Sequence, residues 1–167
     1  PPMWKNRDLK DLPPDMQRAA VKWITDRFPS GQNLILMGMT GSGKTLMAYS
    51  IAKELYLGGS KVKIWEAALL WDTLRNADNS RQVFDSAKNC ELLVLDELGA
   101  EKSSEWTAER LSLIVNWRWQ YQLPTIVTTN LDEEKLYDYM PDRVYSRLMH
   151  GVSPMIVSGE DYRMAGN

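Results

Sequence analysis

Eight residues, GMTGSGKT from Gly38 to Thr45, carry the most specific chemistry in the sequence. They match Gly-x-x-x-x-Gly-Lys-Ser/Thr at every fixed position. Gly38, Gly41 and Gly43 permit a tight turn whose N–H groups, those of Thr40, Ser42 and Leu46 among them, converge on phosphate oxygens. Lys44 is expected to reach the β- and γ-phosphates of a nucleotide, and the Thr45 hydroxyl to hold Mg²⁺. A glycine-rich turn can meet such a pattern by chance. Here it stands between an apolar run, NLILMG, and a helix-forming stretch, which is the context the chemistry requires.

A second constellation is LLVLDELG. An apolar strand ending in Asp96 offers a carboxylate to the metal, and Glu97 follows at once. Adjacent carboxylates at a strand end point in different directions, so Asp96 can serve Mg²⁺ while Glu97 orients and polarises a water. A phosphotransferase has no use for an activated water. In TIVTTN, Asn130 closes another β-rich run and is expected to sense the γ-phosphate; read alone, it is a strand-terminating turn residue. In DRVYSRLMHG, Arg143 and Arg147 share one helical face. They are either surface arginines paired with neighbouring acids or a source of transition-state charge for another subunit's site. Arg147 is the favoured finger, with Arg143 in support. The lone His150 reads as a helix-end residue without metal partners.

These residues need a scaffold, and the pattern supplies one. Apolar runs at NLILMG, KVKIWE, ELLVLDE, PTIVTTN and SPMIV alternate with helical stretches, which predicts a parallel three-layer α/β sheet. Residues 1–14 read as an extended, proline-punctuated lead-in. A helix is predicted over PDMQRAAVKWITDRF, with Met16, Ala20, Val21, Ile24 and Phe28 inward. Another runs from Lys44 to Leu57, closed by Gly58-Gly59. Two short helices, AALLWDTLRNA and SRQVFDSAK, follow the second strand. A long one begins at a cap provided by Ser103 or Ser104.

The chain has 167 residues and a net charge of −2, so it lacks the whole-domain basic field of many DNA binders. The single cysteine, Cys90, excludes an internal disulfide and is expected in the core of a cytoplasmic protein. No apolar run has the length of a membrane span. The sequence opens without Met, which suggests an excised fragment. No N-K-x-D guanine reader and no L-S-G-G-Q segment are present, and no arginine-bearing lid suits a nucleotide kinase. ATP hydrolysis is the expected activity.

The order GMTGSGKT, LLVLDELGAEKSSEW, TIVTTN, YSRL, GEDYR resembles the AAA+ ATPase domain of bacterial and phage replicative helicase loaders, the DnaC/DnaI group, with IstB-type transposition helpers as relatives. The resemblance implies a P-loop NTPase core with sheet order 5-1-4-3-2 and no helical lid. It makes Lys44 and Thr45 the Walker A pair and Asp96 and Glu97 the Walker B pair, with Asn130 as sensor 1 and Arg147 as the finger. It further implies self-association, single-stranded DNA binding and a DnaB-type helicase as client. Residues 1–30 are then a lead-in and 31–167 the ATPase domain, the helicase-binding region being expected to precede the sequence. The resemblance places DNA contacts in AALLWDTLRNADNSRQVF, where Trp71, Arg75 and Arg81 stand between a stacking role and plain core packing. Arg163 is left without a role. A transposase helper and a nucleotide-controlled binding module remain the alternatives.

Overall fold

The computed structural model describes residues 7–158. Five parallel strands, β1 (Leu34–Met37), β2 (Val62–Glu66), β3 (Leu92–Asp96), β4 (Thr125–Thr129) and β5 (Met155–Ile156), form one sheet in the order β2-β3-β4-β1-β5. Read from its other edge, this is the 5-1-4-3-2 order that the resemblance implies. The helices are α1 (Pro14–Lys22), α2 (Lys44–Leu57), α3 (Ala67–Asn76), α4 (Ser80–Asn89), α5 (Glu105–Gln120), α6 (Glu133–Tyr139) and α7 (Asp142–Leu148).

The central strands are continuous apolar runs because both their faces are covered. Their period-two alternation divides them between two cores. Leu34, Leu36, Leu92, Val94 and Ile126 pack with Leu12, Met16, Ala20 and Trp23 and with the α2 side chains Met47 and Ile51. Ile35, Met37, Leu93, Leu95 and Val127 pack on the opposite face against residues of α3 to α7, among them Leu70, Ile114 and Leu148. The lead-in helix therefore shares a core with the first strand and the helix after the glycine loop.

Several expectations require correction. Leu9–Asp11 forms a 3-10 turn within the stretch read as extended. The first helix is α-helical only to Lys22; Trp23–Arg27 is a π turn. Trp23 follows Met16 and Ala20 at α-helical spacing and is buried with them, while Val21, read as inward, stands in solvent. The fifth strand is two residues long rather than the run SPMIV. At the start of α5, Ser104 is the cap: its hydroxyl accepts from the Thr107 N–H, while Thr107 Oγ1 accepts from the Ser104 N–H.

One structural residue escaped the sequence reading. Arg118 on α5 is among the largest fully buried side chains, and no carboxylate pairs with it among the described residues. Oxygen dipoles surround its charge instead. Nη1 donates to the carbonyls of Ala87, Lys88 and Cys90 at 3.0, 3.2 and 2.8 Å. Nη2 donates to Pro124 O at 2.6 Å and Nε to Thr125 Oγ1 at 2.9 Å. Two of these carbonyls belong to the last turn of α4, whose negative dipole end favours a cation. Burial pulls the guanidinium pKa down, and Cys90 opposes that pull. Arg118 thus joins α4, α5 and the start of β4.

Arg118→Met leaves those carbonyls unsatisfied and is expected to cost about 3 kcal/mol, lowering Tm by roughly 6–12 °C in thermal melts. Cys90 sits beside it, buried, and its burial pushes the thiol pKa up. Labelling of Cys90 by a thiol reagent at pH 8 should therefore follow global unfolding, and Arg118→Met should accelerate it.

Candidate nucleotide site

Because all five strands are parallel, Met37, Asp96 and Thr129 end at one edge of the sheet, the edge where open α/β sheets place their ligands. The glycine loop leaves β1 there. Gly38 has φ of +153°, and a Cβ at this position would lie 2.3 Å from the Val157 carbonyl, so no side chain fits. The Gly38 N–H donates to Thr129 O at 3.3 Å, which ties the loop to the end of β4. Gly43, at φ +99°, turns the chain into α2 in a left-handed conformation that suits glycine. The first turn of α2 then presents N–H groups at its positive dipole end. Lys44 is folded inward, its Nζ donating to the carbonyls of Gly38 and Met39 at 2.8 and 2.7 Å. Ser42 is buried, Leu46 packs into the core, and Thr40 stands exposed at the loop's tip.

The loop and the acidic strand meet directly. Thr45 Oγ1 donates to Asp96 Oδ1 at 3.0 Å, and from β4 Thr128 Oγ1 donates to the same oxygen at 2.6 Å. A hydroxyl that donates its proton to a carboxylate keeps its lone pairs for a cation. Thr45 and Asp96 are hard oxygen donors, the type that suits Mg²⁺ shared with phosphates. Among the described residues no group of three His, Cys, Asp or Glu side chains is arranged to hold a metal ion by itself.

Glu97 follows in a left-handed conformation, φ +56°, uncommon for a residue with a Cβ. Its N–H donates to Thr128 Oγ1 at 2.9 Å, and the next N–H, of the buried Leu98, donates to Thr128 O at 2.9 Å. The kink lets Asp96 and Leu98 stay buried while Glu97 emerges partly exposed between them. Tyr49 on α2, half-buried, completes the acidic surroundings. Burial first, and then the charges of Asp96, Glu66 and Glu97, push its phenol up to about 12, so it remains a neutral hydroxyl. Neither Thr128 nor Tyr49 stood out in the sequence; Thr128 sits in the quoted TTN motif, two places before the residue that drew notice.

The structure brings Lys44, Thr45, Asp96 and Glu97 together at this edge. Asn130 lies one residue beyond β4, exposed, at the same edge. Arg147 lies elsewhere. Asn33, just before β1, donates from Nδ2 to the carbonyls of Arg147 and Leu148 at 3.3 and 3.1 Å. Arg147 is thus tied to the opposite edge of the sheet, about 13 Å from the glycine loop along β1 alone. Its guanidinium donates to Asn116 Oδ1 and lies over the Trp119 ring, 5.1 Å from the centroid. Arg143 is exposed at the beginning of the same helix. Residues of GEDYR, Arg163 included, lie outside the described residues.

Trp71 takes the second of the two roles left open for it, core packing. It is 4% exposed, packs in the core, and donates from Nε1 to Glu101 Oε1 at 2.8 Å. It offers no face for a base to stack on. Arg75 and Arg81 are exposed, and Arg75 covers Trp106, 4.6 Å from the ring centroid.

Comparison with known proteins agrees with this architecture. The chain is 31% identical over 134 residues to the replicative helicase loader DnaC of Escherichia coli, a match covering 77% of this chain and 55% of the relative. It thus spans about half the length of such curated relatives. The crystal structure of the DnaC helicase loader superposes with TM-score 0.82 at 22% identity, covering 93% of this chain and 99% of that one. That of DnaI superposes with TM-score 0.84 at 23% identity, covering 96% and 93%. The fold is the P-loop AAA+ core. A family model describing an IstB-like ATP binding protein matches residues 10–166, and on that span the chain belongs to the IstB-like ATP-binding family.

Proposed function

We propose that this chain is the Mg²⁺-dependent ATP-hydrolysing unit, residues 31–167 with 1–30 as its lead-in, of a DNA replication helicase loader. The observation that carries the reading is the shared hydrogen bonding of Thr45 and Thr128 on Asp96, with Glu97 emerging beside them. It matches the demands of hydrolysis better than those of phosphoryl transfer to a substrate. The N–H groups of the loop between Gly38 and Leu46 receive the phosphates, that of Gly38 itself remaining on Thr129 O, and Lys44 exchanges its two carbonyl acceptors for β- and γ-oxygens. Thr45 and Asp96 hold Mg²⁺, which would neutralise charge developing on the phosphates. Glu97 orients a water and accepts its proton, and Asn130 contacts the γ-phosphate.

Arg147 serves the site of a neighbouring copy. Its attachment at the far edge of its own sheet supports that assignment, because the arginine cannot reach its own glycine loop without leaving α7. Single-stranded DNA is assigned to the surface carrying Arg75 and Arg81, by phosphate contact and without Trp71. The client is a DnaB-type helicase in the cytoplasm. The family model favours one other reading, a helper ATPase of an insertion-sequence transposase, which keeps the chemistry and changes the client.

ATPase activity per protomer should rise steeply with protein concentration in the presence of Mg²⁺. Arg147→Ala should lower the plateau about a thousandfold, the order found for such arginines. A flat profile well above background would remove Arg147 from the mechanism. Glu97→Gln should lower turnover by about a hundredfold while ATP still binds. If Glu97→Gln leaves helicase loading intact, nucleotide acts only as an assembly switch.

A further inference from the structure

The acidic half of the site depends on a residue that touches neither nucleotide nor water in the mechanism above. Thr128 lies in the central strand β4, 0% exposed, and its side chain uses one oxygen twice. As donor it holds Asp96 Oδ1 at 2.6 Å; as acceptor it holds the Glu97 N–H at 2.9 Å. Its own carbonyl receives the Leu98 N–H at 2.9 Å. One residue therefore fixes the orientation of the carboxylate assigned to the metal and the left-handed turn that displays the carboxylate assigned to water.

We infer that Thr128 is the positioning residue of both carboxylates, resting on the proposed hydrolysis for its catalytic consequence. The argument concerns the hydroxyl, not the bulk of the side chain. A valine fills the same volume but neither donates nor accepts, so the Asp96 carboxylate loses an anchor and the Glu97 amide loses its acceptor in a buried place. An uncommon backbone conformation persists only where its surroundings hold it, so the φ +56° turn at Glu97 should then relax. Serine keeps the hydroxyl and loses only a methyl group. The donated proton also directs Asp96: with Oδ1 receiving both Thr45 and Thr128, Oδ2 is the oxygen presented to a cation or its water.

The test compares wild type, Thr128→Val and Thr128→Ser in three measurements. The first, without nucleotide, is hydrogen exchange at the Glu97 amide. Valine should accelerate it at least tenfold and serine should not. The second is the gain in ATP affinity on adding Mg²⁺, followed with a fluorescent ATP analogue, which valine should reduce about tenfold and serine should preserve. The third is turnover: kcat should fall about 10- to 100-fold in Thr128→Val, with KM for Mg·ATP rising in step with the lost affinity, and both should stay within about threefold of wild type in Thr128→Ser. If Thr128→Val does not fold, Thr128→Ala carries the same three comparisons.

Valine behaving as wild type in the first two measurements overturns the inference, as does serine losing as much as valine. A wild-type protein that binds Mg·ATP and does not turn it over overturns the proposed hydrolysis instead. The exchange and affinity measurements then still decide whether Thr128 positions the carboxylates.

Discussion

Asp96 accepts hydrogen bonds at one oxygen from two different elements of the sheet's C-terminal edge, and the candidate site takes its shape from that convergence. Thr45 arrives from the first turn of α2 and Thr128 from β4. Asp96 is 7% exposed, so its charge is tolerated there only with such donors around it. The arrangement links the glycine loop, the acidic strand and the strand leading to Asn130 into one rigid unit. The Gly38 N–H bond to Thr129 O closes the circuit.

The two sides of the sheet have different work. On the face of α1 and α2 the core is apolar and continuous, and it fixes the helix whose N-terminus carries Lys44 and Thr45. On the other face, polar anchors interrupt the packing. Arg118 gathers the end of α4 and the loop before β4, and Glu101 Oε1 accepts hydrogen bonds from Trp71 on α3 and Tyr139 on α6. Glu101 lies five residues after Asp96, so the loop that leaves the acidic strand is joined to helices that follow β2 and β4. Burial and the Glu101 charge raise the Tyr139 phenol pKa far above its usual range, so the phenol stays a donor.

Strand and helix placement was legible in the sequence because the runs are extreme. A stretch such as ELLVLDE has both faces apolar and one acidic end, and only a buried parallel strand suits it. The glycine loop was legible because each of its glycines is required by backbone geometry. The π turn at Trp23–Arg27 was not, since hydrophobic spacing carries no mark of it; the misplacement of Val21 was avoidable, because Trp23 continues the Met16–Ala20 stripe. Trp71 was undecidable because an indole reads alike as core or platform until the position of Glu101 is known. Arg118 and Thr128 were invisible because their roles lie in partners distant in sequence. Thr128 meets Asp96 across 32 positions, and Arg118 meets Ala87 across 31.

The placement of Arg147 has a consequence for symmetry. The glycine loop and Arg147 occupy opposite edges of one sheet. A two-fold pair with antiparallel strands could set each loop against the partner's arginine, completing two sites and no more. Copies that instead repeat head to tail would serve one another's sites in succession. Such a contact either closes into a ring or continues as a helix. In an open helix the terminal copy would hold one loop that no arginine reaches, so such an assembly would have a chemical polarity: one end would differ from the other even though every subunit is identical.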